Sequence, residues 1–147
     1  MGKTLARPMV TRAVLPDARV VLQNVRVLTV DDHESFRRAA RDLIGGTPGF
    51  ESVGEACCGL DAIEMVAGTS PELVLMDVRM PGITGVETAR RMRAEHPDVV
   101  VVLVSTDDPE NFAVAAQGCG AAALVAKEDL SSRKLAQLWT SVGGASP

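Results

Sequence analysis

Leu73-Val-Leu-Met-Asp-Val-Arg-Met-Pro-Gly-Ile-Thr-Gly85 decides the fold. Leu73 to Met76 is a short, wholly apolar run, which suits a strand buried on both faces of a parallel sheet. It stops at a carboxylate, Asp77, and Pro81-Gly82 marks a tight turn. Thr84, with Glu87 three residues on, is a capping box that opens the next helix. Asp77 is therefore expected at the carboxyl end of a central strand, where open α/β sheets place their ligand sites. Taken alone, an Asp after a strand is more often a cap or turn residue than a nucleophile, so the rest of the chain must decide.

Working outward, Arg26–Val30 reads as a strand ending in Asp31-Asp32. Phe36, Ala39, Ala40, Leu43 and Ile44 then form one apolar helix face, stopped by Gly45-Gly46. Phe50–Ala56 is a short strand with Val53 and Phe50 inward, and Leu60–Ala67 is a helix closed by Gly68 and Pro71. Val86–Glu95 is a helix that His96-Pro97 terminates, and Val99–Val104 is a strand of Val and Leu that ends in Ser105-Thr106. Asp108 caps a helix with Pro109 at its first position, running to about Gln117 and broken by Gly118 and Gly120. Ala122–Ala126 is a fifth strand ending at Lys127, and Leu135, Leu138, Trp139 and Val142 stripe a last helix closed by Gly143-Gly144. Five strand-then-helix units predict an α/β fold: three layers, with a doubly wound, five-stranded parallel sheet between two layers of helices.

At 147 residues the chain reads as one folded domain, 25–147, behind a mostly disordered tail, 1–24, that has two prolines and no signal-peptide core. The tail carries a net charge of about +3 and the remainder −7, which argues against a nucleic-acid surface built on clustered Lys and Arg. No apolar run approaches 18 residues, so no membrane span is expected. Cys57, Cys58 and Cys119 are odd in number and lack familiar metal-ligand spacing, so they are read as reduced thiols of a cytoplasmic protein. Cys57 and Cys58 are taken as packing residues at a strand end, and His33 and His96 as helix-terminal residues without ligand partners. Gly118-Cys-Gly120 half-resembles a dinucleotide fingerprint but lies between a helix and a strand, and no Gly-rich phosphate loop with Gly-Lys-Ser/Thr exists.

Strands one, three, four and five end in Asp31/Asp32, Asp77, Ser105 and Lys127, and a parallel sheet gathers those ends on one edge. Carboxylates held together resist ionisation unless a cation offsets them. A few oxygen ligands on an exposed edge suit Mg²⁺, which keeps several waters and bridges to phosphate. One Asp is then free to act as a nucleophile, with Lys127 and Ser105 placed for phosphoryl oxygens.

Val30-Asp-Asp-His33, Asp77-Val-Arg-Met-Pro-Gly82, Ser105 and Lys127 together resemble the receiver domain of bacterial two-component response regulators, over about Val25 to Val142. The resemblance implies the flavodoxin-like (CheY-like) strand order 2-1-3-4-5. It implies that Asp77 accepts a phosphoryl group from a histidine kinase or phosphotransfer protein, in a reaction for which Asp31, Asp32, Asp77 and the backbone carbonyl of Arg79 hold Mg²⁺. Ser105 then binds the phosphoryl oxygen and Lys127 pairs with the phosphate. The wording around Asp77 is closest to receivers usually fused to a helix-turn-helix domain; a stand-alone receiver without a DNA-binding domain is expected here, signalling by contact with a downstream protein. Such a domain is not an enzyme beyond catalysing its own phosphorylation and dephosphorylation. Two positions depart from the family: Leu124 stands three residues before Lys127, where Tyr or Phe is frequent, and Thr106 replaces a smaller residue and is expected to narrow access to Asp77. Arg79 and Asp107 occupy positions that, by the same resemblance, tune hydrolysis of the acyl-phosphate, and their opposite charges are expected to pair. A weak homodimer is expected through the fourth and fifth helices. Competing functions are an adaptor that binds regardless of phosphorylation, which needs no intact acid–Ser–Lys set, and a phosphohydrolase. The latter generally wants a second carboxylate two residues after the nucleophile, where this chain has Arg79.

Overall fold

The computed structural model describes residues 24–142, so the expected tail (apart from Asn24) and the Gly143-Gly144 helix stop lie outside the described residues. The chain runs β1 (Val25–Val30), α1 (Glu34–Gly45), β2 (Phe50–Ala56), α2 (Gly59–Thr69), β3 (Leu73–Asp77), α3 (Gly85–Glu95) and β4 (Val100–Ser105). A 3₁₀ turn (Pro109–Phe112), α4 (Ala113–Gly118), β5 (Ala123–Ala126), a second 3₁₀ turn (Lys127–Asp129) and α5 (Ser132–Ser141) complete it. All four strand pairings are parallel, in the order β2-β1-β3-β4-β5. This is the expected flavodoxin-like sheet.

Alternation along each strand divides the core in two. Leu28, Val30, Val74, Met76, Val101 and Leu103 pack with Ala62, Val66, Ala89, Met92 and Ala116 of α2, α3 and α4. Val25, Val27, Leu73, Leu75, Val102 and Val104 face the other way, against Ala40, Ile44, Leu135, Leu138 and Trp139 of α1 and α5. Every residue of β3 is buried, as its apolar run requires.

Four local readings are corrected. β2 carries a bulge: Val27 pairs with Ser52 and Leu28 with Gly54, so Val53 is skipped and only partly buried. Gly68 does not stop α2; the helix continues to Thr69, and Ser70 takes the left-handed conformation at φ 51°. The single helix expected from Pro109 is divided into a 3₁₀ turn and the six-residue α4, although Asp108 does cap its start by accepting from the Glu110 N–H. The capping box on α3 is half formed: Thr84 Oγ1 accepts from the Glu87 N–H at 3.1 Å, while the Glu87 carboxylate pairs with Arg90 and Arg91 instead. The Arg91 hydrogen bond is the main reason that carboxylate titrates below its ordinary range.

Candidate functional site at the carboxyl edge of the sheet

The strand register assembles the site. Val30 lies beside Met76, which brings Asp31 level with Asp77. Asp77 pairs with Val104 and Ser105 with Ala126, so Ser105 and Lys127 each stand one step further along the same edge. Residues 96 positions apart thus meet because their strands end together.

Asp31 is wholly buried and Asp77 is 5% exposed. Asp31 Oδ1 accepts from the His33 N–H at 2.8 Å, and its backbone is fixed by Asp31 N–H to Ala56 carbonyl at 3.0 Å and Arg37 Nη1 to Asp31 carbonyl at 2.7 Å. Lys127 Nζ lies 2.5 Å from Asp31 Oδ2 and 3.6 Å from Asp77 Oδ2. That ammonium also sits 4.4 Å from the centre of the Phe36 ring, an aromatic face on α1 that helps to hold a cation out of water. Asp77 Oδ1 accepts from the Arg79 N–H at 3.3 Å, and Ser105 Oγ, on a 2% exposed residue, accepts from the Asp107 N–H at 3.0 Å.

Burial is the first cause that raises the Asp77 pKa above the ordinary carboxylate range, and the Asp31 charge adds to it. Lys127 and the Arg79 N–H pull the other way, and Asp32 raises it further. One lysine therefore does not offset three clustered carboxylates. Asp31, Asp32, His33 and Asp77 each bring one donor atom to within 4.8 Å of the others. Three carboxylates with that spacing fit a hard divalent cation such as Mg²⁺.

Two features of the site were not legible beforehand. His33, read as having no ligand partner, stands at the N-cap position of α1 without a side-chain capping bond and brings Nδ1 to 3.1 Å from Asp31 and 3.3 Å from Asp32. Gly85 folds back onto Asp77: its N–H donates to the Val78 carbonyl at 2.8 Å, and a Cβ there would collide with the Asp77 carbonyl. Among the residues expected to modulate the site, Arg79 and Asp107 form an ion pair. Thr106 is exposed and lines a hollow with Asp107, Asp108 and Glu128, and Leu124 packs half-buried against the core.

A 2-1-3-4-5 sheet with this acid, Ser and Lys edge defines the receiver class of flavodoxin-like domains. The chain belongs to the response regulator receiver domain family, whose model matches residues 27–138. It is 36% identical over 103 residues to the response regulator GacA of Pseudomonas aeruginosa, covering 70% of this chain and 48% of that protein. It is 33% identical over 104 residues to the transcriptional regulatory protein DegU of Brevibacillus brevis, covering 71% and 44%. The chain thus spans about half the length of the curated relatives it matches. The signal receiver domain of the putative response regulator NarL from Mycobacterium tuberculosis superposes with a TM-score of 0.75 at 29% identity, over 84% of this chain and 99% of that one. A CheY-like receiver protein from Methanospirillum hungatei, at 18% identity and a TM-score of 0.71 over 81% and 93%, shares the fold. No described helix is long and apolar enough to cross a membrane.

Proposed function

We propose that this receiver domain accepts a phosphoryl group on Asp77 and signals through contact with another protein. The observation that carries the reading is the Lys127 ammonium set between Asp31 and Asp77, with Asp32 completing an acidic cluster on the same edge. An Asp77 carboxylate oxygen attacks phosphorus, and the bond from phosphorus to the imidazole nitrogen of a phosphohistidine donor breaks, with the electron pair left on that nitrogen. Lys127 exchanges part of its pairing with Asp31 for the incoming phosphoryl oxygens, and the Ser105 hydroxyl donates to another from its fixed place on β4. Asp31, Asp32, Asp77 and the Arg79 carbonyl would hold Mg²⁺, which when bound offsets the carboxylate charge and the charge developing on the phosphoryl group.

The donor is a histidine kinase or phosphotransfer protein, and the compartment is the cytoplasm, where three free thiols stay reduced. Beyond its own phosphorylation and dephosphorylation the domain has no enzymatic role in this reading. Incubation with acetyl phosphate and Mg²⁺, followed by intact mass, tests it: one phosphoryl adduct is expected, absent with Asp77→Asn and without Mg²⁺. An unmodified wild-type chain, or the same adduct on Asp77→Asn, overturns it.

A further inference from the structure

Outside the acidic cluster, the turn between β2 and α2 gathers a second set of donors. Cys57, Cys58 and Asp61 each bring one ligand atom to within 4.8 Å of the other two. Neighbours on an extended chain point to opposite sides, but here the strand gives way to the helix at Cys58, and both sulfurs come round towards Asp61. Cys57 Sγ lies 3.8 Å from Asp61 Oδ2. Two sulfurs on one tetrahedral zinc stand about 3.8 Å apart, given Zn–S bonds of about 2.3 Å, so closing the set needs side-chain rotation and little backbone movement.

The thiols have no competing structural duty. Cys57 is exposed, which corrects its reading as a packing residue, and Cys58 is at the helix cap position without a side-chain capping bond. The frame that carries them is fixed. The Ala62 N–H donates to the Cys58 carbonyl at 3.1 Å, and Gly59 is seated so closely on Thr88 and Ile83 that a Cβ would meet both. Cys57 and Asp61 line a hollow of about 570 Å³ together with Arg37, Glu55 and Glu64, which leaves room for water at a fourth position.

We propose that Cys57, Cys58 and Asp61 form a zinc site with three protein ligands and one open position. Thiolate ligands select zinc over Mg²⁺, and the carboxylate completes a mixed set that a borderline cation accepts. The site is separate from the Asp31–Asp32–Asp77 cluster, though one residue away Ala56 accepts the Asp31 N–H at 3.0 Å.

The test uses the full reduced chain titrated with Co²⁺ and then Zn²⁺, the latter against a chromophoric chelator. In excess Mg²⁺, which competes for the acidic cluster and not for thiolates, one Co²⁺ should bind with a thiolate-to-cobalt charge-transfer band and be displaced by one Zn²⁺. Cys57→Ser and Cys58→Ser should each weaken Zn²⁺ by at least about tenfold, since loss even of a group that merely orients a metal ligand costs roughly 10–100-fold. Asp61→Asn should weaken it less, Cys119→Ser should leave it unchanged, and Asp32→Ala should keep the charge-transfer band. Thermal melts check that each variant folds. Mass-mapped alkylation gives a second reading: Zn²⁺ should protect Cys57 and Cys58. Zinc affinity unchanged in the Cys57/Cys58 double variant, loss of the band in Asp32→Ala, or no protection of the two thiols would each overturn the proposal.

Discussion

Arg79 Nε lies 3.2 Å from Asp107 Oδ2, a bridge between the loops that follow β3 and β4. Each partner is also tied through its backbone to a site residue: the Arg79 N–H to Asp77 and the Asp107 N–H to Ser105. The guanidinium is further held 5.1 Å from the centre of the Phe112 ring. With side chains 70% and 44% exposed, the pair contributes only about 0–1 kcal/mol to stability. Its position matters more: if Asp77 accepts a phosphoryl group as proposed, hydrolytic water would approach past these two loops.

The expected outcome is a long-lived acyl-phosphate that decays faster when the bridge is cut. Slowing hydrolysis tenfold takes about 1.4 kcal/mol of barrier, within reach of a pair supported by an aromatic face. Arg79→Ala and Asp107→Ala should each accelerate dephosphorylation by up to about tenfold, and high salt should do the same by screening. The double variant should add little to either single one. Decay followed by intact mass checks this; slower decay in a single variant, or full additivity, would remove the gate.

Asp77→Asn should raise the thermal midpoint at neutral pH in metal-free buffer. In the folded chain Asp77 keeps its proton to higher pH than in the unfolded chain, mainly because it is buried. The native state therefore binds more protons across that window, and stability falls as pH rises through it. Removing the carboxylate abolishes the penalty, which is fully present above the raised pKa and vanishes below the ordinary carboxylate range. Calorimetry across pH should show the two midpoints converging on acidification, and added Mg²⁺ should narrow the gap at neutral pH.

Much of this site could be read in advance because it depends on strand ends. The apolar runs Leu73–Met76 and Val100–Val104 put Asp77 and Ser105 at the last positions of β3 and β4, and parallel pairing carries Asp31 and Lys127 to the same edge. What escaped depends on contacts that no local pattern encodes. The Val53 bulge falls where Gly54 pairs with Leu28 across the strands and Met65 fills the space that a Cβ on Gly54 would need. Ser70 takes the left-handed role that composition assigns to Gly68. The gathering of His33 with Asp31 and Asp32, and of Cys57 and Cys58 with Asp61, depends on how a strand turns into a helix. Neither set matches a familiar ligand spacing.

Asp32→Ala should weaken Mg²⁺ binding by about tenfold or more, equivalent to about 1.4 kcal/mol, and slow phosphorylation in parallel. It should also stabilise the metal-free chain, since Asp32 is one of the charges that burden Asp77. Calorimetric Mg²⁺ titration and acetyl-phosphate kinetics measure both; wild-type phosphorylation by this variant would remove Asp32 from the metal set.

Val114 is 85% exposed on α4, beside the exposed Ala113 and Ala115. If this face supports the weak dimer, Val114→Lys should abolish self-association and leave the unfolding free energy of the monomer within about 0.5 kcal/mol of wild type, as for other surface changes. Sedimentation of the phosphorylated chain tests it, and a monomer at high concentration before the substitution would dispose of the dimer.

Two glycines make opposite predictions. Gly68 lies in the last turn of α2 with open space around an added Cβ, so Gly68→Ala should stabilise by up to about 0.5–1 kcal/mol through reduced backbone entropy in the unfolded chain. Gly85 begins α3, and there an added Cβ would drive into the Asp77 carbonyl, a backbone atom that cannot rotate away. Overpacking of this kind costs about 1–3 kcal/mol, more than the helix propensity that alanine regains. In a domain of this size each kcal/mol moves the midpoint by roughly 4 °C, so the two variants should shift Tm in opposite directions. Only Gly85→Ala should slow phosphorylation, because relief of the clash displaces Asp77 from Lys127 and Asp31. A Gly85→Ala chain that melts and phosphorylates like wild type would show that the β3–α3 loop has room to give, and that Gly85 does not position the nucleophile.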